Sequence, residues 1–183
     1  MGRAGSGRRD QRPADAVDQA TEQWHETWPD LDVSPLQVFG RLHRSYVRYA
    51  ASLTDLFARH DINIASFDVL TALRRSGAPY RMTSRDLAES SLVSTGGVTL
   101  RVDRLEAAGL VTRERDVDDR RVVYVRLTDA GLDKIHTVAR EHFANEADML
   151  AGLEADERTE LGSLLSRLET SIVTAKAPGP DPA

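Results

Sequence analysis

The chain has 183 residues, of which 40% are hydrophobic and 29% charged, with a formal net charge of -5. That balance suits a soluble, core-forming domain with extended ends and excludes a wholly disordered chain. No run approaches the ~18 apolar residues of a membrane span, and the charged start MGRAGSGRRDQRP lacks the apolar stretch of a secretory signal. The absence of cysteine excludes disulfides, thiolate zinc sites and thiol redox sensing, and fits a cytoplasmic location. Net acidity does not exclude a nucleic-acid partner, because affinity for phosphates depends on a local basic patch. Lys134 and Lys176 are the only lysines, so nearly all positive charge is arginine. Arginine offers bidentate contacts to guanine edges and phosphates, although a bias in codon usage would give the same excess.

In chain order, residues 1–13 read as a disordered Gly/Arg/Ser/Pro-rich tail. Residues 14–33 read as an extra N-terminal helix and linker, with Val17, Ala20, Trp24 and Trp28 on one face and Pro29 as the stop. Ser34-Pro35 has the N-cap and first-position chemistry of a helix start. The helix to about residue 60 carries a long apolar stripe, from Leu36 and Phe39 to Leu56 and Phe57, with His43 packed on it. That stripe exceeds the needs of one small domain and suggests a second subunit. Ser66 is expected to cap a helix through FDVLTALRRSG, closed by Gly77. Thr83-Ser-Arg-Asp86 has capping-box spacing and opens the next helix. SSLV is the turn, and Ser94 caps a fourth helix through Ala108, closed by Gly109. Residues 111–115 and 122–127 alternate β-branched and charged side chains around a polar tip and predict a hairpin. Thr128 starts a long helix to about Leu150. A last helix runs from about Glu154 to Thr174 with Leu161, Leu164, Leu165, Leu168 and Ile172 on one side, and residues 175–183 form a second disordered tail.

The fold class is therefore mainly α with a small β-hairpin wing: a winged helix-turn-helix over residues 61–127, flanked by helices at 34–60 and 128–174. A helix shaped for the major groove followed by a charged ribbon points at duplex DNA. The candidate contacts are Ser94, Thr95, Gly96, Gly97, Thr99 and Arg104, assigned to the first turns of the fourth helix, with Arg115, Asp118, Arg120 and Arg121 on the wing. Early glycines cost about 1 kcal/mol each but admit close backbone approach, and helix N-terminal amides hold phosphate. Arg120 is the candidate for the minor groove, where arginine is favoured, with Asp118 orienting it. The plain alternatives are a loosely wound surface helix and a solvated hairpin. The five histidines form no zinc pattern with acids. No phosphate loop or nucleophile–base pair stands out, so neither an enzyme nor a cofactor or metal is expected.

The recognition-helix end RVDRLEAAGLV, the wing RDVDDRR and the following LTDAG together resemble the MarR family of winged helix-turn-helix regulators over about residues 34–174. The resemblance implies a homodimer with interlocking first and last helices. PDLDVSPLQVFGRLHR, FDVL and STGGVTLRVDRLEAAGL further resemble the PecS-type, urate-responsive branch, which carries an extra tryptophan-bearing N-terminal helix. That branch implies a repressor released from a pseudo-palindromic operator by a purine anion such as urate. It also implies four ligand positions: Trp24 (or Trp28, one turn away), Asp68, Arg101 and Arg113. Taken singly, Asp68 reads as an acid favouring a helix dipole, Arg101 and Arg113 as surface or phosphate-binding arginines, and Trp24 as a packing residue. The alternative is a DNA-binding regulator without a small ligand, architectural or controlled by another protein.

Overall fold

The computed structural model describes residues 12–90 and 97–175, and the chain forms two compact units, Met1–Asp55 and Leu56–Ala183. In the first unit, α1 (Ala16–Thr27) starts on a capping box. The Asp15 carboxylate accepts the N–H groups of Val17 and Asp18 at 2.8 and 3.1 Å, and the Asp18 carboxylate accepts the Asp15 N–H at 2.9 Å. Such reciprocal bonds satisfy the donors that a helix start leaves unpaired. Residues 34 and 35 form a turn, closed by bonds from Leu36 N–H to Val33 O and from Gln37 N–H to Ser34 O. The helix α2 (Leu36–Ala58) begins after it, so Ser34 and Pro35 are not its cap and first residue as expected.

Val17 and Thr21 form the buried face of α1. A Cβ on Gly40 would stand 3.1 Å from Val17 Cγ1, tight enough that a glycine there lets α1 approach α2. Polar bonds rim this contact. Gln37 Nε2 donates to Thr21 Oγ1 at 2.7 Å, and Arg41 reaches Asp15 at 3.0 Å and Asp18 at 2.7 Å. The Arg12 guanidinium, then the Asp15 N–H and Arg41, hold the Asp18 carboxyl well below the usual carboxylate range. Trp24 and Trp28 are exposed, so the single apolar face running from Val17 to Trp28 is not what packs. His43 is exposed as well, contrary to its expected place in a packed stripe.

In the second unit, α3 spans Ile64–Arg75, and its cap is Asn63, whose Oδ1 accepts the Ser66 N–H at 2.9 Å. Asn is as good a cap as Ser, and this one starts the helix three residues earlier than Ser66 would. The strand β1 (Arg81–Thr83) leads into α4 (Ser84–Ser90), where Thr83 and Asp86 exchange the expected capping-box bonds at 3.1 and 3.4 Å. Then come α5 (Val98–Ala107), β2 (Val111–Arg115), β3 (Val123–Leu127), α6 (Asp129–Met149) and α7 (Ala155–Ala175).

The sheet order is β1-β3-β2, all antiparallel, so the expected hairpin gains a third strand. Val125, fully buried, pairs with Met82 on one side and Arg113 on the other. Around it Leu70, Leu73, Leu87, Val102, Ile135 and Val138 close the core. Thr128 caps α6 through Gly131 N–H at 3.0 Å, and its hydroxyl donates to Gly109 O at 2.7 Å. A Cβ at Gly131 would fall 1.9 Å from Leu110 O, so only glycine lets α6 start against the α5–β2 junction.

His142, not His43, is the buried imidazole. Its ring lies 4.6 Å from Phe67 and 5.7 Å from Phe57, Nε2 is 3.2 Å from Glu146, and Nδ1 is buried with no hydrogen-bond partner among the described residues. Helix α7 buries none of its residues and presents Leu161, Leu164, Leu165, Ile172 and Val173.

Candidate nucleic-acid interface and effector site

Ser94, Thr95 and Gly96 lie outside the described residues, as does most of the SSLV turn. Gly97 is the N-cap of α5, with φ 76° and no side-chain cap bond. That left-handed conformation is strained for residues with a Cβ, while a Cβ there would meet nothing within 4 Å. The backbone, not crowding, therefore selects glycine. Thr99 is exposed near the start of α5, and its neighbour Leu100 is 55% exposed. Val98, Val102 and Leu105 turn inward. An exposed helix face with apolar residues behind it is what groove entry requires. Arg104 departs from expectation. It stands in the last turn of α5, not the first, and lines a cleft of about 310 Å³ with Asp61, Asn63, Ser66 and Ala108.

The wing tip is ordered by its own acids. Asp116 Oδ1 accepts the N–H groups of Asp118 and Asp119 at 2.9 and 3.1 Å, and these bonds lower its pKa. Asp119 holds Arg121 through Nε and Nη2, both at 3.0 Å, which lowers the acid's pKa and raises that of the arginine. The expected Asp118–Arg120 bond is absent among the described residues, and Asp119–Arg121 takes its place. The side chains of Arg104, Arg115 and Arg120 have no carboxylate partner among the described residues and are exposed. At the wing's base, Glu114 and Arg126 pair across the strands at 3.0 Å, and Arg81 stacks over the Tyr124 ring at 4.3 Å.

Two of the four ligand candidates come together. Arg101 on α5 lies 3.9 Å from Asp68 on α3, with 14% and 4% of their side chains exposed. Because Asn63 is the cap, Asp68 stands beyond the first turn of α3, and its burial removes the surface-dipole reading. Arg113 on β2 takes different carboxylates. Its Nη2 is 2.5 Å from Asp103, its Nη1 binds Glu106, and its backbone N–H donates to Glu106 at 3.2 Å. Asp103 first, then Glu106, hold the guanidinium above its ordinary pKa against the effect of burial. Asp103 and Glu106 were missed in the sequence, although the (i, i+3) spacing that puts both acids on one face of α5 was visible. Trp24 belongs to the first unit, 44% exposed. A cleft of about 570 Å³ opens elsewhere, lined by Arg74, Ile135, His136, Ala139, Arg140 and Phe143, and none of the four candidates borders it. Among the described residues no cluster of acids and histidines could hold a metal ion, and no helix is long and apolar enough to cross a membrane.

Comparison with known proteins adds four findings. A family model described as MarR family matches residues 60–122. The chain is 37% identical over 157 residues to the HTH-type transcriptional regulator PecS of Dickeya dadantii (strain 3937), covering 86% of this chain and 95% of that protein. Among solved structures, it is similar to Bordetella bronchiseptica BpsR, whose DNA binding is regulated by 6-hydroxynicotinic acid, at 26% identity and TM-score 0.64 over 72% of this chain and 92% of that one. It is also similar to an E. coli MarR mutant complexed with operator DNA, at 26% identity and TM-score 0.62 over 79% and 96%.

Proposed function

The chain belongs to the MarR family of transcriptional regulators, which are not enzymes, and from this we propose that it is a homodimeric repressor released from its operator by a purine anion such as urate. The observation that carries the proposal is the ion pair between buried Asp68 on α3 and Arg101 on α5. An anion that takes Arg101 from Asp68 acts on the very helix that offers Thr99 to DNA. Couplings of this kind are worth ~1–3 kcal/mol, or about 5- to 150-fold in affinity. A flat ring with delocalised negative charge suits arginine through charge-assisted bonds and tryptophan through stacking, which assigns Trp24 or Trp28 to the ligand.

On this reading residues 61–127 are the DNA-binding domain and residues 34–60 and 128–174 supply dimerisation. Support comes from apolar side chains that each unit leaves exposed: Phe39, Leu42, Tyr46 and Val47 on α2, and Leu161, Leu164, Leu165 and Ile172 on α7. Faces of this kind mark protein–protein contacts. Two recognition helices then meet half-sites about one turn apart. Gly97, Thr99, Arg104, Arg115, Asp118, Arg120 and Arg121, with Ser94, Thr95 and Gly96, are the assigned DNA-contacting set.

Band shifts with the operator test the proposal. Urate should release wild-type protein, and Arg101→Ala should lose that response more than it loses operator affinity. Operator affinity unchanged at millimolar urate would sink the ligand assignment. A second reading, a regulator with no small ligand, draws on one observation: Arg113 is already satisfied by Asp103 and Glu106. Melting curves with a purine panel separate the two, because a ligand that binds only the native state raises the melting temperature.

A further inference from the structure

Arg113 sits at the middle of β2, opposite Val125 of β3. Its two terminal nitrogens are engaged by two separate carboxylates of α5, and Glu106 also takes its backbone N–H. Three bonds therefore tie the central residue of β2 to the recognition helix. The clasp is not sealed: the side chains of Arg113, Asp103 and Glu106 are 31%, 52% and 38% exposed. We propose that Asp103 and Glu106 are resident anions of the effector site, which the ligand must displace from the Arg113 guanidinium, and that their displacement loosens the hold of α5 on β2. The proposal rests on the reading of Arg113 as a ligand residue.

The arrangement sets the chemistry of the ligand. A guanidinium presents donors in a rigid fork that pairs with two adjacent acceptors. A ligand with one acceptor leaves one terminal nitrogen with its carboxylate and gains little. A purine anion, with an oxo group beside a deprotonated ring nitrogen, replaces both bonds at once. A neutral purine brings no charge to set against the two carboxylates and should compete less well than the anion. Displacement also leaves two carboxylates without their guanidinium on the helix that faces DNA, so the ligand's own charge is joined by two others near phosphate.

The test is calorimetric titration of urate into the full-length protein, its Glu106→Gln variant and the Asp103→Asn/Glu106→Gln double variant. Glu106→Gln keeps an acceptor oxygen for the Arg113 N–H, so it retains the fold if the double variant does not. Removing each resident charge should tighten urate binding about two- to fivefold, the worth of a partly exposed ion pair. Hydrogen exchange should show β2 losing protection when urate binds wild type, and starting unprotected in the double variant. Equal or weaker binding by Glu106→Gln, or protection of β2 unmoved by urate, overturns the clasp and leaves the urate reading standing. Binding by the variants alone supports the clasp and sinks urate as the regulator of the wild-type chain. Binding by none of the three overturns both.

Discussion

Asp68 and Arg101 face each other at 3.9 Å across the contact between α3 and α5, the carboxylate all but buried and the guanidinium nearly so. At that separation the pair is an electrostatic contact more than a hydrogen bond. On the proposed reading it is the contact that a competing anion opens.

Removing the acid should therefore cost stability as well as response. Asp68→Asn leaves Arg101 without that charge, and about 1–3 kcal/mol should be lost in urea unfolding. A variant as stable as wild type would mean that the pair holds nothing together.

At the wing tip the two neighbouring arginines should behave differently. Arg121 is held by Asp119, whereas Arg120 has no carboxylate partner among the described residues. Arg120→Ala should weaken operator binding by about 1–3 kcal/mol if it reads a base, or shift the salt slope by about one if it meets phosphate. Arg121→Ala should do less. Band shifts across a salt series compare them, and equal losses would refute the distinction.

His142 gives the fold a pH dependence of known sign. Burial among Phe57 and Phe67 lowers its pKa below the ordinary 6.5, with Glu146 pulling the other way. The unfolded chain then binds a proton before the native one does, so stability is intact above about pH 6.5 and is lost as pH falls toward the native value. His142→Leu should flatten this part of the curve in denaturant melts between pH 7 and 5. An unchanged slope would show that the imidazole is not the titrating group.

Gly131 should be intolerant of any side chain. A methyl group there meets the Leu110 carbonyl, a backbone atom that cannot swing aside. Gly131→Ala should cost about 1–3 kcal/mol or more by overpacking, and it should also weaken operator binding by pushing α6 off the α5–β2 junction. Wild-type melting temperature in this variant would contradict the close approach.

Elements whose ends are written locally were legible in the sequence. Thr83–Asp86 and Thr128 open their helices through their side chains, and Gly109 follows the end of α5 with a positive φ that glycine takes readily. The β2–β3 hairpin followed from alternation. Features that depend on a distant neighbour were not legible. Three residues at 81–83 carry too short a pattern to declare a strand, and they are one because β3 has a second edge to offer. Ser66 looked like a cap because it precedes an apolar run, yet Asn63 reaches its N–H first. His43 and His142 both sit on helices of mixed polarity, and only packing against Phe57 and Phe67 distinguishes them. In the candidate site, Asp68 and Arg101 rested on resemblance and the structure brings them together. The clasp on Arg113 was invisible, because charged residues on an exposed helix face read as solvated until a strand is laid beside them.

The middle position of β3 also decides where this chain can accept change in length. Its residues bond to β1 on one edge and to β2 on the other. One residue inserted at Val123–Leu127 would slip two registers at once and turn Val125 outward. One inserted at Val117–Asp118, beyond the last paired residues, would slip none. Drift in the length of this hairpin should therefore gather at its tip, where a longer or shorter finger alters the reach toward DNA while the sheet that carries it keeps its register.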